Sequence, residues 1–298
     1  VTPMLTVFTP TYNRAYTLHL CYESLKRQSC KDFIWLIIDD GSTDHTKDLV
    51  EAWIEEGLVA IRYHYQDNQG MHGAHNAAYE HVDTELNVCI DSDDYMADDA
   101  VEKITSFWST HRSDQYAGII GLDATPNGDV IGTWMPEHLH KSTLTDLYAK
   151  HKVLGDKKLV YRTELTKKVP PYPIFPGEKY CPLSYKYILL DQQCPLLIMN
   201  EVLCHVEYRP DGSSLNMINQ YKKNPRGFAF FRKAAMVHSH SFKEKFREAA
   251  HYVSSSLIMK NSRFINESPL KWMTLLATPI GTMLYLYIQM TNKATVRR

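Results

Sequence analysis

The stretch Leu86-Asn87-Val88-Cys89-Ile90-Asp91-Ser92-Asp93-Asp94 runs from an apolar strand straight into three carboxylates within four positions. Like charges crowded at a strand end repel one another, and a positive partner relieves that cost. A hard divalent cation, held through one or two carboxylates and a ligand's phosphate oxygens, meets the need. The carboxyl ends of strands in an open α/β sheet are also where nucleotides settle. These residues therefore predict metal-assisted handling of a nucleotide phosphate.

Two plainer readings compete. A strand followed by an acidic turn and an Asp-capped helix would account for Asp98 and Asp99 without any ligand. A calcium loop would use Asp91, Asp93 and Glu102 as its first, third and twelfth positions. That loop needs an oxygen ligand at its fifth position and Gly at its sixth, where this chain has Tyr95 and Met96. The calcium loop is excluded.

Elements able to position the acidic turn are visible in the apolar pattern. Leu5-Thr6-Val7-Phe8 reads as a buried strand, and Leu18, Cys21, Tyr22 and Leu25 recur at helical spacing. Phe33 to Ile38 is a second strand; Leu49, Val50, Trp53 and Ile54 mark a second helix, with Gly57 as its cap. Strands at Ile61 to Tyr65, Leu86 to Ile90 and Ala117 to Leu122 alternate with helices at Gly73 to His81 and Asp98 to Trp108. This alternation predicts βαβ units and an α/β fold with a mainly parallel sheet. Polar turns after three strands, Thr9 to Arg14, Asp39 to Asp44 and Asp91 to Asp94, would then share one sheet edge and form a crevice.

Beyond residue 123 the pattern loosens. Pro170-Pro171-Tyr172-Pro173 and Pro176-Gly177 predict a loop-rich region, and Phe228 to Met259 reads as helical with a solvated amphipathic face. The segment Leu270 to Met290 is largely apolar, and as a helix it would be roughly 30 Å long. Pro279 and Gly281 interrupt it; a membrane-surface helix or hairpin, a packed domain helix and a true span all remain open.

The 298 residues suffice for a sizeable core, and a net charge of -1 gives no footprint of a nucleic-acid partner. Six cysteines form no C-x-x-C pair or zinc spacing, and no basic-then-apolar leader is visible at the N-terminus, so reduced thiols in a cytoplasmic protein are expected.

Four ordered markers resemble family 2 of the inverting glycosyltransferases: Phe8-Thr9-Pro10-Thr11-Tyr12-Asn13-Arg14, Ile38-Asp39-Asp40-Gly41-Ser42-Thr43-Asp44, Asn68-x-Gly70-x-x-x-Ala74-x-Asn76 and Asp91-Ser92-Asp93-Asp94. A fainter likeness runs through Gly155-Asp156-Lys157, Phe175 to Lys179 and Glu207-Tyr208-Arg209-Pro210-Asp211-Gly212, and is similar to a bacterial subgroup that builds surface polysaccharides.

The resemblance implies a GT-A fold with a nucleotide-sugar half (1–122), an acceptor half (123–225) and a helical C-terminal region (226–298). It implies transfer, with inversion, from a UDP-sugar to a glycan, teichoic-acid or lipid-linked acceptor, with manganese or magnesium as cofactor. Thr9, Pro10, Tyr12 and Arg14 would hold base and ribose, and Asp40 would accept a hydrogen bond from uracil. Asp91 would face the ribose or the metal, Asp93 would ligate the metal, and Asp94, beside Ser92, would support the metal's ligands or touch the donor sugar. In the third marker, which holds Asn68, many relatives carry Arg where this chain has His75. The pyrophosphate clamp would then either be weaker or rely on His72, His75 and Arg14 together.

Inverting transfer needs a base for the acceptor hydroxyl. Glu178 is the best match and Asp191 the runner-up, although Lys179 stands where the family more often has Asp. Trp134, Tyr172, Tyr180 and Tyr208 are aromatics that could stack on sugar faces or pack in a core.

Other functions fit less well. A haloacid-type phosphatase carries its Asp-x-Asp on the first strand with Thr two residues on, where Tyr95 stands. A sugar nucleotidyltransferase needs a Gly-rich basic loop after the first strand, and a dinucleotide oxidoreductase needs G-x-G-x-x-G there; neither is present. A catalytically silent sugar- or nucleotide-binding subunit on the same scaffold stays open, because fold alone does not assign activity. The apolar tail with Lys271, Lys293, Arg297 and Arg298 around it would hold the protein peripherally at the inner face of the cell membrane.

Overall fold

Continuous apolar runs closed by turn residues become the central strands of one sheet. The structure is a computed structural model and describes residues 3–207 and 217–294. The chain divides into two units, Val1–Pro171 with Leu189–Glu207, and Tyr172–Ile188 with Tyr208–Arg298.

The first unit opens with β1 (Leu5–Thr11), α1 (Ala15–Lys26), β2 (Phe33–Asp39) and α2 (Thr46–Glu56). Next come β3 (Ile61–Tyr65), α3 (Met71–His81), β4 (Leu86–Cys89), the short β5 (Tyr95–Met96) and α4 (Ala100–His111). β6 (Gly118–Ala124), β7 (Lys141–Ser142), α5 (Leu144–Ala149), β8 (Lys157–Arg162) and α6 (Thr163–Lys168) follow. α7 (Ser184–Asp191) leads the chain back from the second unit into β9 (Leu196–His205).

The sheet order is β3-β2-β1-β4-β8-β6-β9-β5, with β7 also on β9. β1 lies parallel between β2 and β4, and β2 is parallel to β3. The carboxyl ends of β1, β2 and β4 therefore open on one edge. β8 runs antiparallel to both β4 and β6, whereas β6 and β9 are parallel.

Side chains from one face of these strands, among them Val7, Trp35, Ile37, Val88, Ile90 and Val160, form a core with Leu18, Cys21, Tyr22 and Leu25 of α1 and Ile104 and Trp108 of α4. Tyr22 stacks on Trp53 of α2 at 4.3 Å between ring centres, so apolar burial and ring packing fix both helices on the sheet. Gly57 closes α2 in the left-handed region at φ 68°, as its sequence position predicts.

The fainter Gly155-Asp156-Lys157 marker has a structural role. The buried ammonium of Lys157 lies 2.8–3.3 Å from the carbonyl oxygens of Ile131, Leu154, Gly155 and Asp156, which share its three N–H donors. This clamps the segment after β6 that carries Trp134, which is 60% exposed.

The second unit holds α8 (Met217–Lys223), α9 (Pro225–His238), α10 (Phe242–Ile258), α11 (Phe264–Glu267) and α12 (Lys271–Ala294). Phe228 to Met259 is two helices and not one. Ser241 breaks it by accepting the Glu244 N–H at 3.1 Å, the N-cap of a Ser-x-x-Glu capping sequence.

Pro279 and Gly281 do not interrupt α12. The helix runs through Pro279, and Gly281 allows close packing on α10, since a Cβ there would lie 2.5 Å from the Val253 Cβ. Ala277 is buried against α9 and α10, whereas Trp272, Leu276, Ile280, Met283, Tyr287 and Met290 stand exposed along the helix. Among the described residues, no helix is long and apolar enough to cross a membrane.

Candidate active site

The turns after β1 and β2 are stitched together by their own side chains. Asn13 adopts φ 52°, a left-handed conformation that Asn tolerates better than most residues. Its Oδ1 accepts the N–H groups of Thr43 (2.8 Å) and Asp44 (3.3 Å), and its own N–H donates to Ser42 Oγ at 2.9 Å. Asp44 answers by accepting the Ala15 N–H at 3.2 Å and the Thr46 hydroxyl at 2.6 Å. Burial would raise the Asp44 carboxyl, but these bonds outweigh it and hold it below the usual range. The reciprocal pattern makes the two turns one unit.

Asp39 and Asp40 are both buried. Asp39 accepts the Ser42 N–H at 2.8 Å and the Tyr63 hydroxyl at 2.6 Å. Asp40 accepts from Gln66 Nε2 (2.7 Å) and from the N–H groups of Gln69 and Gly70 (2.8 Å each), pinning the loop that leads into α3. Asn68 in that loop passes so close that a Cβ on Gly41, itself at φ 84°, would meet the Asn68 nitrogen at 2.9 Å. Gly41 has no substitute there.

The expected nucleotide-binding residues divide by exposure. Tyr12 is 49% exposed at the turn, and Pro10 is half-buried. Arg14 donates to the Tyr16 hydroxyl, and its guanidinium stands 5.6 Å from that ring's centre. Thr9 lies in the core, where its hydroxyl accepts the Trp35 indole N–H at 2.9 Å. His72 and His75 are also buried. His75 Nδ1 is 2.9 Å from the Met71 carbonyl oxygen, and its ring stands edge-on to Phe8 at 5.3 Å.

The acidic turn follows β4, where Ile90 N–H donates to the Phe8 carbonyl at 3.0 Å. Asp94 N–H closes the turn on the Asp91 carbonyl, also at 3.0 Å. The buried Cys21 thiol of α1 donates to the carbonyls of Asp91 (3.2 Å) and Asp94 (3.0 Å), holding the turn's backbone from beneath. Asp91 is exposed, Asp93 half-buried, and Ser92 and Asp94 buried.

Burial drives the Asp94 carboxyl up to about 8, with Asp91, Asp93 and Asp123 adding to the rise and Lys158 opposing it. One carboxyl of the turn thus holds a proton where no cation serves. The donors are hard oxygens, which fits a hard divalent ion. Among the described residues no three His, Cys, Asp or Glu side chains group as a metal site. An ion here would take its remaining ligands from phosphate and water, as magnesium-type sites commonly do.

The two candidate bases are each engaged at a helix N-terminus. Glu178, in the second unit, is buried and accepts the N–H groups of Arg226 (3.0 Å) and Gly227 (2.9 Å) at the start of α9. Asp191 accepts from Leu144 N (3.0 Å), Thr145 N (2.8 Å) and the Thr145 hydroxyl (2.7 Å) at the start of α5. Burial still raises the Asp191 carboxyl. Of the aromatics, Tyr172 is buried with its hydroxyl on the Leu183 carbonyl, and Tyr180 stacks on Phe228 at 5.3 Å. Tyr208, with Arg209, Pro210, Asp211 and Gly212 of the faint marker, lies outside the described residues, as do Arg297 and Arg298.

The family model for glycosyl transferase family 2 matches residues 6–168, more than half of the chain. The chain belongs to that family. It is 36% identical over 98 residues to a teichoic acid poly(glycerol phosphate) polymerase of Staphylococcus epidermidis, covering 33% of this chain and 14% of that protein. It is 28% identical over 125 residues to a PGL/p-HBAD biosynthesis glycosyltransferase of Mycobacterium bovis, covering 41% and 49%. The chain thus spans less than half the length of these relatives.

Among solved structures it is similar to S. aureus TarS 1–349, with a TM-score of 0.63 at 16% identity over 98% of this chain and 91% of that one. The same TarS region in complex with UDP-GlcNAc matches with a TM-score of 0.63 at 17% identity. This likeness shows the GT-A fold: a mixed sheet flanked by helices and followed by a helical C-terminal region.

A pH dependence follows from Asp94. Its folded pKa, raised from 3.8 to about 8, favours the protonated carboxyl, so this contribution to stability is present below pH 3.8 and is lost as pH rises towards about 8. A divalent cation competes with that proton. Thermal unfolding with chelator should show a melting temperature falling across this window, and the rise on adding Mn2+ should be larger at pH 8.5 than at pH 6. A manganese-induced rise independent of pH would contradict the assignment.

Proposed function

We propose that this chain moves a sugar from a UDP-sugar to a hydroxyl of a glycan, teichoic-acid or lipid-linked acceptor, with inversion and with a divalent metal bound. The observation that carries the reading is the acidic turn after β4 opening on the same sheet edge as the stitched turns after β1 and β2. The UDP-GlcNAc bound by TarS supports a UDP-sugar donor. A mannosyltransferase of Pyrobaculum calidifontis with GDP-Man and Mn2+ has the same fold at a TM-score of 0.56 and supports the metal.

The exposed Tyr12 ring offers a face for the base, and Arg14 a cation for the diphosphate. Asp40 orders the loop beneath the uracil and accepts from it. Asp93, with Asp91, would hold manganese or magnesium, which would neutralise the charge developing on the leaving diphosphate. The acceptor oxygen attacks the anomeric carbon from the face opposite UDP, the sugar–phosphate C–O bond breaks, and the acceptor's proton passes to Glu178. Residues 1–122 serve the donor and 123–225 the acceptor, with Trp134 available to stack on a sugar face.

Three measurements test this reading. In a panel of nucleotide sugars with Mn2+ or Mg2+, free UDP should be released, and Asp93→Ala should abolish metal-dependent UDP binding with an unchanged melting temperature. UDP binding without any turnover of donor would favour a silent subunit; equal UDP affinity with chelator and with Mn2+ would remove the metal.

Glu178→Gln should lower turnover by about a hundred- to ten-thousand-fold, with UDP affinity unchanged. Its amide can still serve the Arg226 and Gly227 N–H groups in part, so loss of stability with full activity per folded molecule would make Glu178 a helix cap only. Asp191→Asn in parallel decides whether the role passes there.

The third concerns location. The 24 residues of α12 contain no Asp or Glu, and Trp272, Leu276, Ile280, Met283 and Met290 are exposed along it. That composition suits a helix lying on an anionic bilayer at the inner membrane face. Replacing Trp272, Leu276 and Met283 together with Ser leaves the contacts with α10 intact. It should abolish co-sedimentation with phosphatidylglycerol vesicles; unchanged partitioning would sink the idea.

A further inference from the structure

Near the acidic turn, a buried ion pair closes the end of the core. Lys158 lies on β8 opposite Gly121 of β6, and its side chain is only 12% exposed. Its ammonium is 3.5 Å from Asp123 Oδ1, and Asp123 is itself 4% exposed. β8 also pairs with β4, Val160 opposite Val88. Two residues further along each strand, that register brings Lys158 level with Ile90, the residue immediately before Asp91.

Leu203 occupies the space above Gly121, where a Cβ would come within 2.4 Å of its Cδ1. The position opposite Lys158 is thus covered by an apolar side chain, and the charged end of the lysine lies beside Asp123. Burial works against the charge of Lys158, but Asp123 above all, together with Asp94 and Asp91, outweighs burial and holds the ammonium protonated well above its usual range. None of the four sequence markers contains Lys158 or Asp123.

We infer that Lys158 is a resident counter-charge beneath the acidic turn, set by its partner Asp123, which holds the turn together before a cation arrives and limits how tightly that cation binds. Two features of the fold carry this: a buried ion pair at the end of an apolar core, and its register level with the start of the acidic turn. A buried cation without its partner would be costly, so Asp123 both anchors Lys158 and attenuates its field. Lys158 is a positioning residue: it acts on the metal site through charge and touches neither donor nor acceptor.

The inference rests on the metal reading above, and its two halves push in opposite directions. Lys158→Met removes a positive charge near a divalent ion and should tighten Mn2+ binding at saturating UDP by about tenfold, the scale expected for one charge at short range in a partly polar interior. The apo melting temperature should fall, and the rise induced by Mn2+ should exceed that of the unmodified protein. Asp123→Asn leaves the lysine charge unopposed and should weaken Mn2+ binding. Lys158→Arg keeps the charge and should restore affinity to near the original value.

Calorimetric titration of Mn2+ into the UDP-saturated full chain, with thermal unfolding in parallel, reads all three variants. A purely structural lysine would lower the melting temperature equally with and without Mn2+ and leave affinity unchanged in Lys158→Met, which would overturn the inference. If Lys158→Met does not fold, Asp123→Asn alone decides: weaker Mn2+ binding upholds the inference, and unchanged or tighter binding overturns it. An unmodified protein that binds no Mn2+ or Mg2+ overturns the metal reading itself and the inference with it, so the two failures are told apart.

Discussion

Three carboxylates at the end of one strand repel one another, and much of the first unit is arranged around that repulsion. The Cys21 thiol fixes the turn's backbone through two carbonyls, so the turn does not depend on its side chains for its shape. Beneath it the Lys158 ammonium, anchored by Asp123, offsets part of the carboxylates' charge, and Asp94 keeps a proton to an unusually high pH. Each device lowers the cost of holding the carboxylates together before an external cation arrives. On the function proposed above, a cation arriving here would displace that proton.

A second principle governs the turns after β1 and β2. There the backbone is held by side chains acting as local acceptors: Asn13 and Asp44 across two turns, Asp39 onto the second turn, and Asp40 onto the loop before α3. Loops fixed by charged acceptors on backbone N–H groups lose little freedom when a ligand arrives, which favours binding. The same economy explains why carboxylates that a family pattern assigns to ligands are already bonded inside the protein.

The first 122 residues were legible because buried parallel strands write themselves as continuous apolar runs and the turns carry Gly, Asn and Asp where the backbone needs them. The later strands were not. β8 places Lys157 and Lys158 side by side, and β9 is irregular against β6, so neither shows a clean period. Phe228 to Met259 hid a boundary that Ser241 and Glu244 marked, masked by apolar residues on both sides.

In the site, Asp91 to Asp94 stood out by type and spacing alone, whereas Lys158, Asp123 and Cys21 had no signal. Their role comes from strand register and helix packing, and nothing local in sequence reports it. His72 and His75 fall inside a marker, and their burial was not legible from it.

The outward face of α12 has a practical consequence for anyone handling the protein. Its packing face carries the small residues Ala277 and Gly281, which bring it close to α10, while Trp272, Leu276, Ile280, Met283, Tyr287 and Met290 are left exposed. A stripe of that size in water is a liability for colloidal stability. Purified material should therefore self-associate as it is concentrated, and the aggregates should disperse with mild detergent. An oligomer seen at high protein concentration should be judged against that behaviour before it is taken as a biological assembly.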